Sequence, residues 1–89
     1  MQGRSNNMTQ KSVEVFLDIL TDEEVNNRLS REIFKLLTSI GIREKYYTEG
    51  TNHIRAFTKG NESEISEKVT RIEKLPHVKR ILKEILVPV

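Results

Sequence analysis

The sequence predicts an α+β domain in which two helices cover one face of a four-stranded antiparallel sheet, with elements in the order βαββαβ. Three observations predict it. Apolar residues alternate with polar ones near residue 13, which is typical of a half-buried strand. Two later segments place apolar residues three and four apart behind helix-capping residues. Between them, a turn at residues 49–52 containing Gly50 joins two further alternating segments, which indicates a hairpin.

The first predicted strand begins at residue 13. Its core-facing positions are Val13, Val15, Leu17 and Ile19. Phe16 falls on the opposite face of this strand, so an aromatic side chain points away from the predicted core.

The first helix is predicted to begin at Thr21, because Glu24 follows three residues later in the spacing of a capping box. Asp22, Glu23 and Glu24 would then lie in the first turn and complement the positive end of the helix dipole. The same three acids are also candidates for a cation site, but helix capping is the simpler explanation of their positions. Gly41 is the predicted C-terminal cap.

The second half of the chain predicts two strands, a helix and a last strand. The strands cover residues 43–48 and 53–59. Asn61 and Glu64 repeat the capping-box spacing at the start of the second helix, and Pro76 ends it. His77 is interpreted as an ordinary loop histidine. The last strand covers residues 79–89 and has apolar residues in both phases.

These elements fold as a ferredoxin-like domain, in which both helices lie on the same face of the sheet. The other face would display several large side chains, including an aromatic one from Tyr46 or Tyr47. Of these two tyrosines we assign Tyr47 to this face. An exposed apolar patch on a small protein usually marks an interface. The predicted dimer interface therefore consists of Phe16, Tyr47, Arg55, Phe57, Leu82 and Leu86.

Composition excludes several classes of protein. The 89 residues suffice for one domain, which we place at residues 12–89, behind a polar and flexible tail at residues 1–11. The chain has no cysteine, which excludes disulfides and thiolate chemistry. No segment resembles a membrane span or a signal peptide, so we expect a cytoplasmic protein. We expect no metal and no cofactor.

Known catalytic signatures are absent, so we expect no enzyme activity. A small dimeric ferredoxin-like enzyme using His53 and Arg55 remains an alternative. A second alternative is a small nucleic-acid-binding protein that stacks bases on Phe16 and Phe57, as RNA-recognition motifs do. The segment HIRAFTKG lacks the glycine and aromatic pattern of that motif, and a net charge of +2 is a weak electrostatic footprint. Direct nucleic-acid binding is therefore not the expectation.

The segment from residue 44 to residue 89 resembles the C-terminal effector-binding domain of the Lrp/AsnC family of transcription regulators, known in stand-alone form as the RAM domain and similar in shape to the ACT domain. The similarity lies in a hairpin turn with glycine, a strand, a helix that ends in IEKLPHV, and a basic and then apolar last strand. It extends more loosely over VEVFLDI and the first helix.

The resemblance implies a stand-alone regulatory domain that forms a homodimer or a larger oligomer, binds an amino acid or similar small effector, and modulates a full-length transcription regulator. The turn that lies near the family's effector pocket commonly reads Thr-Gly-x-x-Asp. Here Gly50 matches, while Glu49 and His53 stand at the Thr and Asp positions, and His77 replaces a usual glycine. The predicted ligand-binding residues are Glu49, Gly50, Thr51, Asn52 and His53.

Overall fold

The computed structural model describes residues 12–86, which form one sheet and two helices. The predicted tail at residues 1–11 and the last three residues of the predicted final strand lie outside this range. The elements, in chain order, are β1 (Val13–Thr21), α1 (Asn27–Ile40), β2 (Glu44–Tyr47), β3 (His53–Gly60), α2 (Glu62–Glu73) and β4 (Val78–Leu86).

The four strands form one antiparallel sheet in the order β2-β3-β1-β4. With the two helices, this order confirms the predicted ferredoxin-like α+β fold. The longest strands, β1 and β4, run side by side, and β2 is a short edge strand of four residues. Within residues 12–86, no helix combines the length and the apolar character that crossing a membrane requires.

The core lies between the sheet and the helices. Alternate residues of β1 supply its centre, since Val15, Leu17 and Ile19 are fully buried. Strand β3, both helices and the segments beside α1 supply the rest of the buried core: Ile54, Ala56, Val25, Leu29, Ile33, Leu37, Ile42, Ile65 and Ile72. Because all of this burial is on one side, the opposite face of β1 and β3 is left with side chains that are half buried or exposed.

Helix α1 begins later than the capping-box spacing predicts. Thr21 is the last residue of β1, where it lies opposite Val78, and its hydroxyl donates to the carbonyl of Glu23 at 2.7 Å. The N-cap is Asn26, whose side chain accepts a hydrogen bond from the backbone N–H of Leu29 at 2.8 Å. Strand pairing therefore outcompetes the local capping signal, and the prediction that Thr21 caps the helix is wrong.

The other helix boundaries agree with the predictions. Gly41 adopts a φ of 102° as the C-terminal cap of α1, and its N–H reaches the carbonyls of Leu37 and Thr38. Asn61 and Glu64 form a reciprocal capping box at the start of α2, with both hydrogen bonds at 2.8 Å. Helix α2 ends three residues before Pro76, which cannot donate a helical hydrogen bond.

Candidate functional site

The open face of the sheet is the surface that the helices do not cover, and an aromatic pair lies at its centre. Phe57 on β3 lies directly opposite Phe16 on β1, with ring centroids 5.4 Å apart in an edge-to-face arrangement. The strand register places Glu44 beside Phe57 and Glu84 beside Phe16. A carboxylate therefore flanks each end of the aromatic row, and both acids would repel a phosphate backbone.

The adjacent row across the open face mixes polar and apolar side chains. From β2 to β4 it consists of Tyr46, Arg55, Asp18 and Leu82. Its two outer members are strongly exposed, with Tyr46 at 54% and Leu82 at 45% of full exposure. The large side chains that remain open to solvent are thus at the edges of the open face, on either side of a charged centre.

Arg55 connects the two rows. Its guanidinium lies over the ring of Phe16, with Cζ 4.1 Å from the ring centroid, which is close enough for a cation–π interaction. Its Nη2 donates to Glu84 Oε1 at 3.0 Å, and its Nε lies 3.6 Å from Asp18 Oδ1. The same oxygen of Asp18 lies 3.0 Å from His53 Nε2. Arg55 therefore has a carboxylate on each side of it.

Five of the six residues predicted for a dimer interface lie on the open face: Phe16, Arg55, Phe57, Leu82 and Leu86. Tyr47 does not, and its assignment to that face is wrong. It pairs with Ile54, a core residue, and its ring packs edge-to-face against Phe34 at 5.9 Å. Because successive strand residues alternate in direction, Tyr46 occupies the open-face position instead.

The turn between β2 and β3 is attached to the loop that precedes α1. The N–H of Gly50 donates to the carbonyl of Val25 at 3.3 Å, and the N–H of Val25 donates to Thr51 at 2.8 Å. The carbonyl of Asn52 accepts from the N–H of Thr21 at 3.0 Å. These bonds use the turn's backbone groups to hold two loops together.

Several donors of the predicted ligand-binding residues Glu49, Gly50, Thr51, Asn52 and His53 form hydrogen bonds within the protein. The N–H and the hydroxyl of Thr51 both donate to the carbonyl of Thr48, at 3.2 and 2.7 Å, and the amide of Asn52 donates to Thr21 at 3.4 Å. The N–H donors of Gly50 and Thr51 are thus engaged internally. Of the five, His53 alone extends onto the open face as part of β3.

A small cavity lies where His53 meets the open face. It has a volume of about 140 Å³ and is lined by Tyr46, Tyr47, Thr48, His53 and Arg55. Its lining combines a phenol, an imidazole and a guanidinium, which can meet the carboxylate or the amino group of a small molecule. This cavity, beside the predicted turn rather than within it, is the candidate ligand site.

Asp18, which contacts His53 beside this cavity, is a residue that reasoning from the sequence did not assign to a site. Asp18 is half buried, and it orients the imidazole of His53 through the 3.0 Å contact. In the sequence, Asp18 stands between apolar residues and two positions after Phe16, which places both side chains on the same face of the strand. That position placed Asp18 on the open face, but its contact with His53, 35 residues away, depends on the register of β1 against β3.

A second cluster of ionisable groups joins the loops at one end of the sheet. Nδ1 of His77 lies 3.3 Å from Asp22 Oδ1 and 3.3 Å from Glu23 Oε2. Because α1 begins at Asn27, the two acids do not lie in its first turn as expected. Both carboxylates are exposed, and we interpret the cluster as a polar contact that connects the β1–α1 and α2–β4 loops.

Neither protein-family models, nor curated protein sequences, nor solved structures give a significant match to this chain.

Proposed function

We propose that this protein is a regulatory domain that forms a homodimer through the open face of its sheet and binds an amino acid or a similar small molecule. The observation that carries the proposal is the open face itself. Its centre is the half-buried pair Phe16 and Phe57, and its exposed edges carry Tyr46 and Leu82. A contiguous surface of this kind is more stable when a partner removes it from water.

The charges of the open face favour a second copy of the same chain as that partner. The acidic residues on this face are Glu14, Asp18, Glu44 and Glu84. The basic ones are Arg55, Lys59 and Arg80. Since both signs are present in nearly equal number, a twofold axis can bring the acids of one copy to the bases of the other.

The cavity beside His53 supports a small effector. Its volume of about 140 Å³ is well below the roughly 300–1,000 Å³ of pockets for drug-sized ligands. This size favours a molecule no larger than an amino acid, and a second copy packed on the open face would cover the cavity. Ligand binding and dimerisation would then be coupled, because the second copy would enclose the ligand bound in the cavity.

The resemblance to the effector-binding domains of Lrp/AsnC regulators adds a biological role to this proposal. We propose that the domain assembles with a full-length transcription regulator of that kind and changes its activity according to the effector. This step rests on the resemblance, whereas homodimerisation and effector binding also rest on the open face.

Nucleic-acid binding is the alternative that one observation favours, because Phe16 and Phe57 lie side by side on neighbouring strands. The flanking carboxylates of Glu44 and Glu84 oppose it, as does the position of Arg55 over Phe16. A small enzyme has less support, because the hydrogen bonds within residues 12–86 join the imidazole of His53 to Asp18 and to no hydroxyl.

The first experiment measures the mass in solution by light scattering after size-exclusion chromatography, with and without a pool of amino acids. We expect at least twice the 10.4 kDa of one chain, and a change in mass or elution on addition of the pool. A strict monomer in both conditions would contradict the proposal. RNA and single-stranded DNA would then be tested for binding to the exposed aromatic pair.

The second experiment places the effector. An amino acid that alters the assembly is titrated by calorimetry against the parent, Tyr46→Ala and His53→Ala. We expect each variant to weaken binding by about tenfold or more, which corresponds to about 1.4 kcal/mol. Glu49→Gln is the matched control, since Glu49 lies in the turn but does not line the cavity. If Glu49→Gln weakens binding and the other two do not, the site lies in the turn.

A further inference from the structure

Strand β4 is a long edge strand that is exposed along one side. It pairs with β1 through one edge, and within residues 12–86 no strand pairs with the other edge. With nine residues it is more than twice as long as β2, the edge strand on the opposite side. An exposed edge of this length presents a row of unpaired backbone donors and acceptors that can accept another strand.

Apolar side chains are exposed on both faces of β4. Leu82 lies on the open face at 45% exposure, and Ile85 lies on the helix side of the sheet at 47%. A partner that packs on the open face covers Leu82 but cannot reach Ile85. A strand added alongside β4 contacts both residues, because its own side chains alternate between the same two faces.

The sequence of β4, VKRILKEIL, strongly restricts how two copies can pair. In an antiparallel pair of identical strands, the twofold axis places one residue opposite its own copy. Centres at Arg80, Lys83 or Glu84 would each oppose a charge with itself. A centre at Ile81 would place Lys79 opposite Lys83. Like charges directly opposite each other are destabilising, so these registers are disfavoured.

The register centred on Leu82 has complementary charges. It places Arg80 of each copy opposite Glu84 of the other, both on the open face, with the two Leu82 side chains in contact between them. The regular part of the pairing covers the residues from Arg80 to Glu84, because the register of β4 against β1 is irregular between Val78 and Arg80.

On the helix side of the same pair, Lys83 of each copy lies opposite Ile81 of the other. The aliphatic stems of the lysines can cover the isoleucines while the amines stay in water. Glu84 also retains its contact with Arg55 at 3.0 Å, because a carboxylate has two oxygens to accept hydrogen bonds.

We propose that β4 pairs antiparallel with β4 of a second copy of this chain, in the register centred on Leu82. The pairing joins two four-stranded sheets into one continuous sheet. It uses the edge of the sheet, not the packing of one open face on another. It therefore does not depend on the proposed function, and both contacts can occur in one tetramer.

Cysteine cross-linking tests the register, since the chain has no cysteine of its own. Residues directly opposite in an antiparallel pair have Cβ atoms about 4.5–5.5 Å apart, close to the span of a disulfide. With oxidised glutathione, Leu82→Cys is expected to give a covalent dimer. Lys79→Cys is the matched control on the same strand, because it would lie about 20 Å from its own copy. Failure of Leu82→Cys to cross-link, or equal cross-linking by Lys79→Cys, overturns the proposal.

A charge swap tests the contact between Arg80 and Glu84. Arg80→Glu is expected to raise the dissociation constant of the edge-paired dimer about tenfold or more, because two attractive pairs become repulsive. The double variant Arg80→Glu/Glu84→Arg restores opposite charges and should recover most of the affinity. If the loss of binding free energy in the double variant equals the sum of the losses in Arg80→Glu and Glu84→Arg alone, the two residues do not face each other.

Both experiments are repeated in the Phe57→Glu background, which removes the open-face contact. A covalent Leu82→Cys dimer that persists there supports edge pairing even if the open-face dimer is absent. Loss of cross-linking in that background, with the fold intact by circular dichroism, would show that edge pairing does not occur on its own and would overturn the proposal.

Discussion

The ring of Phe57 meets the ring of Phe16 edge-to-face, with the ring planes inclined at 61° and the centroids 5.4 Å apart. Both residues are half buried although neither α1 nor α2 covers this side of the sheet. The guanidinium of Arg55 covers part of Phe16, 4.1 Å from its centroid. The centre of the open face is therefore partly protected by its own side chains, and the remaining exposed surface is what a partner would cover.

Replacing Phe57 by glutamate is expected to separate the open-face dimer. A carboxylate at this position would be buried without a partner between two copies, which costs roughly several kcal/mol. Leu86→Glu, on the same face, should act in the same way. Light scattering after size-exclusion chromatography measures the mass. Lys35→Glu on the exposed side of α1 is the control, and an unchanged parental mass in both face variants would exclude the open face as the interface.

The N-cap of α1 is expected to be Asn26 and not its neighbour. Asn26→Ala removes the side-chain acceptor of the Leu29 N–H and should lower the free energy of unfolding by about 1 kcal/mol. Asn27→Ala, at the first helical position, should change it by less than about 0.5 kcal/mol. Urea denaturation at a fixed protein concentration compares the two. Equal effects would contradict Asn26 as the cap.

Gly50 is expected to tolerate asparagine but not valine. Its φ is +85°, and a Cβ added there would meet no atom within 4 Å, so a substitution changes only the backbone energy. That conformation costs a residue with a Cβ about 1–2 kcal/mol, and asparagine adopts it more readily than a β-branched residue. We expect Gly50→Val to lower the free energy of unfolding more than Gly50→Asn. Thermal unfolding of both variants tests this order.

Gly50→Val also tests whether the turn belongs to the effector site. If the turn held the effector, distortion of the turn would weaken effector binding with little loss of fold. The cavity beside His53 does not include Gly50, so we expect calorimetry to show nearly unchanged affinity in a folded variant. A large loss of affinity would return the turn to the site.

Leu17 is expected to be among the most sensitive core positions. Its side chain is fully buried at the centre of β1. Leu17→Ala should lower the free energy of unfolding by about 2–5 kcal/mol, a large part of the roughly 5–15 kcal/mol typical of whole domains. Leu36→Ala on α1 is the control, since Leu36 is half exposed and should cost about 1 kcal/mol or less. Similar losses for both leucines would contradict the burial seen here.

Most helices and strands could be predicted from short sequence patterns, because the interactions that begin and end them join residues close together in the chain. The capping box of Asn61 and Glu64 and the left-handed Gly41 each depend on atoms within one or two helical turns. Thr21 and Glu24 have the same local spacing as a capping box, yet Thr21 ends β1. There the competing contacts, to Asn52 and to Val78, come from residues more than 30 positions away.

The candidate site was predicted less well than the fold for the same reason. The alternation of side-chain direction along a strand is enough to place Phe16 and Phe57 on the open face, because this alternation holds in every strand. The choice between Tyr46 and Tyr47 depended on the register of β2 against β3, and a shift of one residue exchanges the two faces. The turn residues were expected to be free for a ligand because their hydrogen bonds to Val25 and Thr21 cannot be read from the turn itself.

The sequence by itself determined the βαββαβ order, the helix-covered core and the existence of an aromatic open face, because periodicity and capping act over a few residues. Only the tertiary structure decided that Asp18 lies 3.0 Å from His53, that Arg55 lies between Asp18 and Glu84, and that Tyr46 faces outward. These relationships depend on strand register, which is set by packing of the whole sheet on its helices rather than by any single segment.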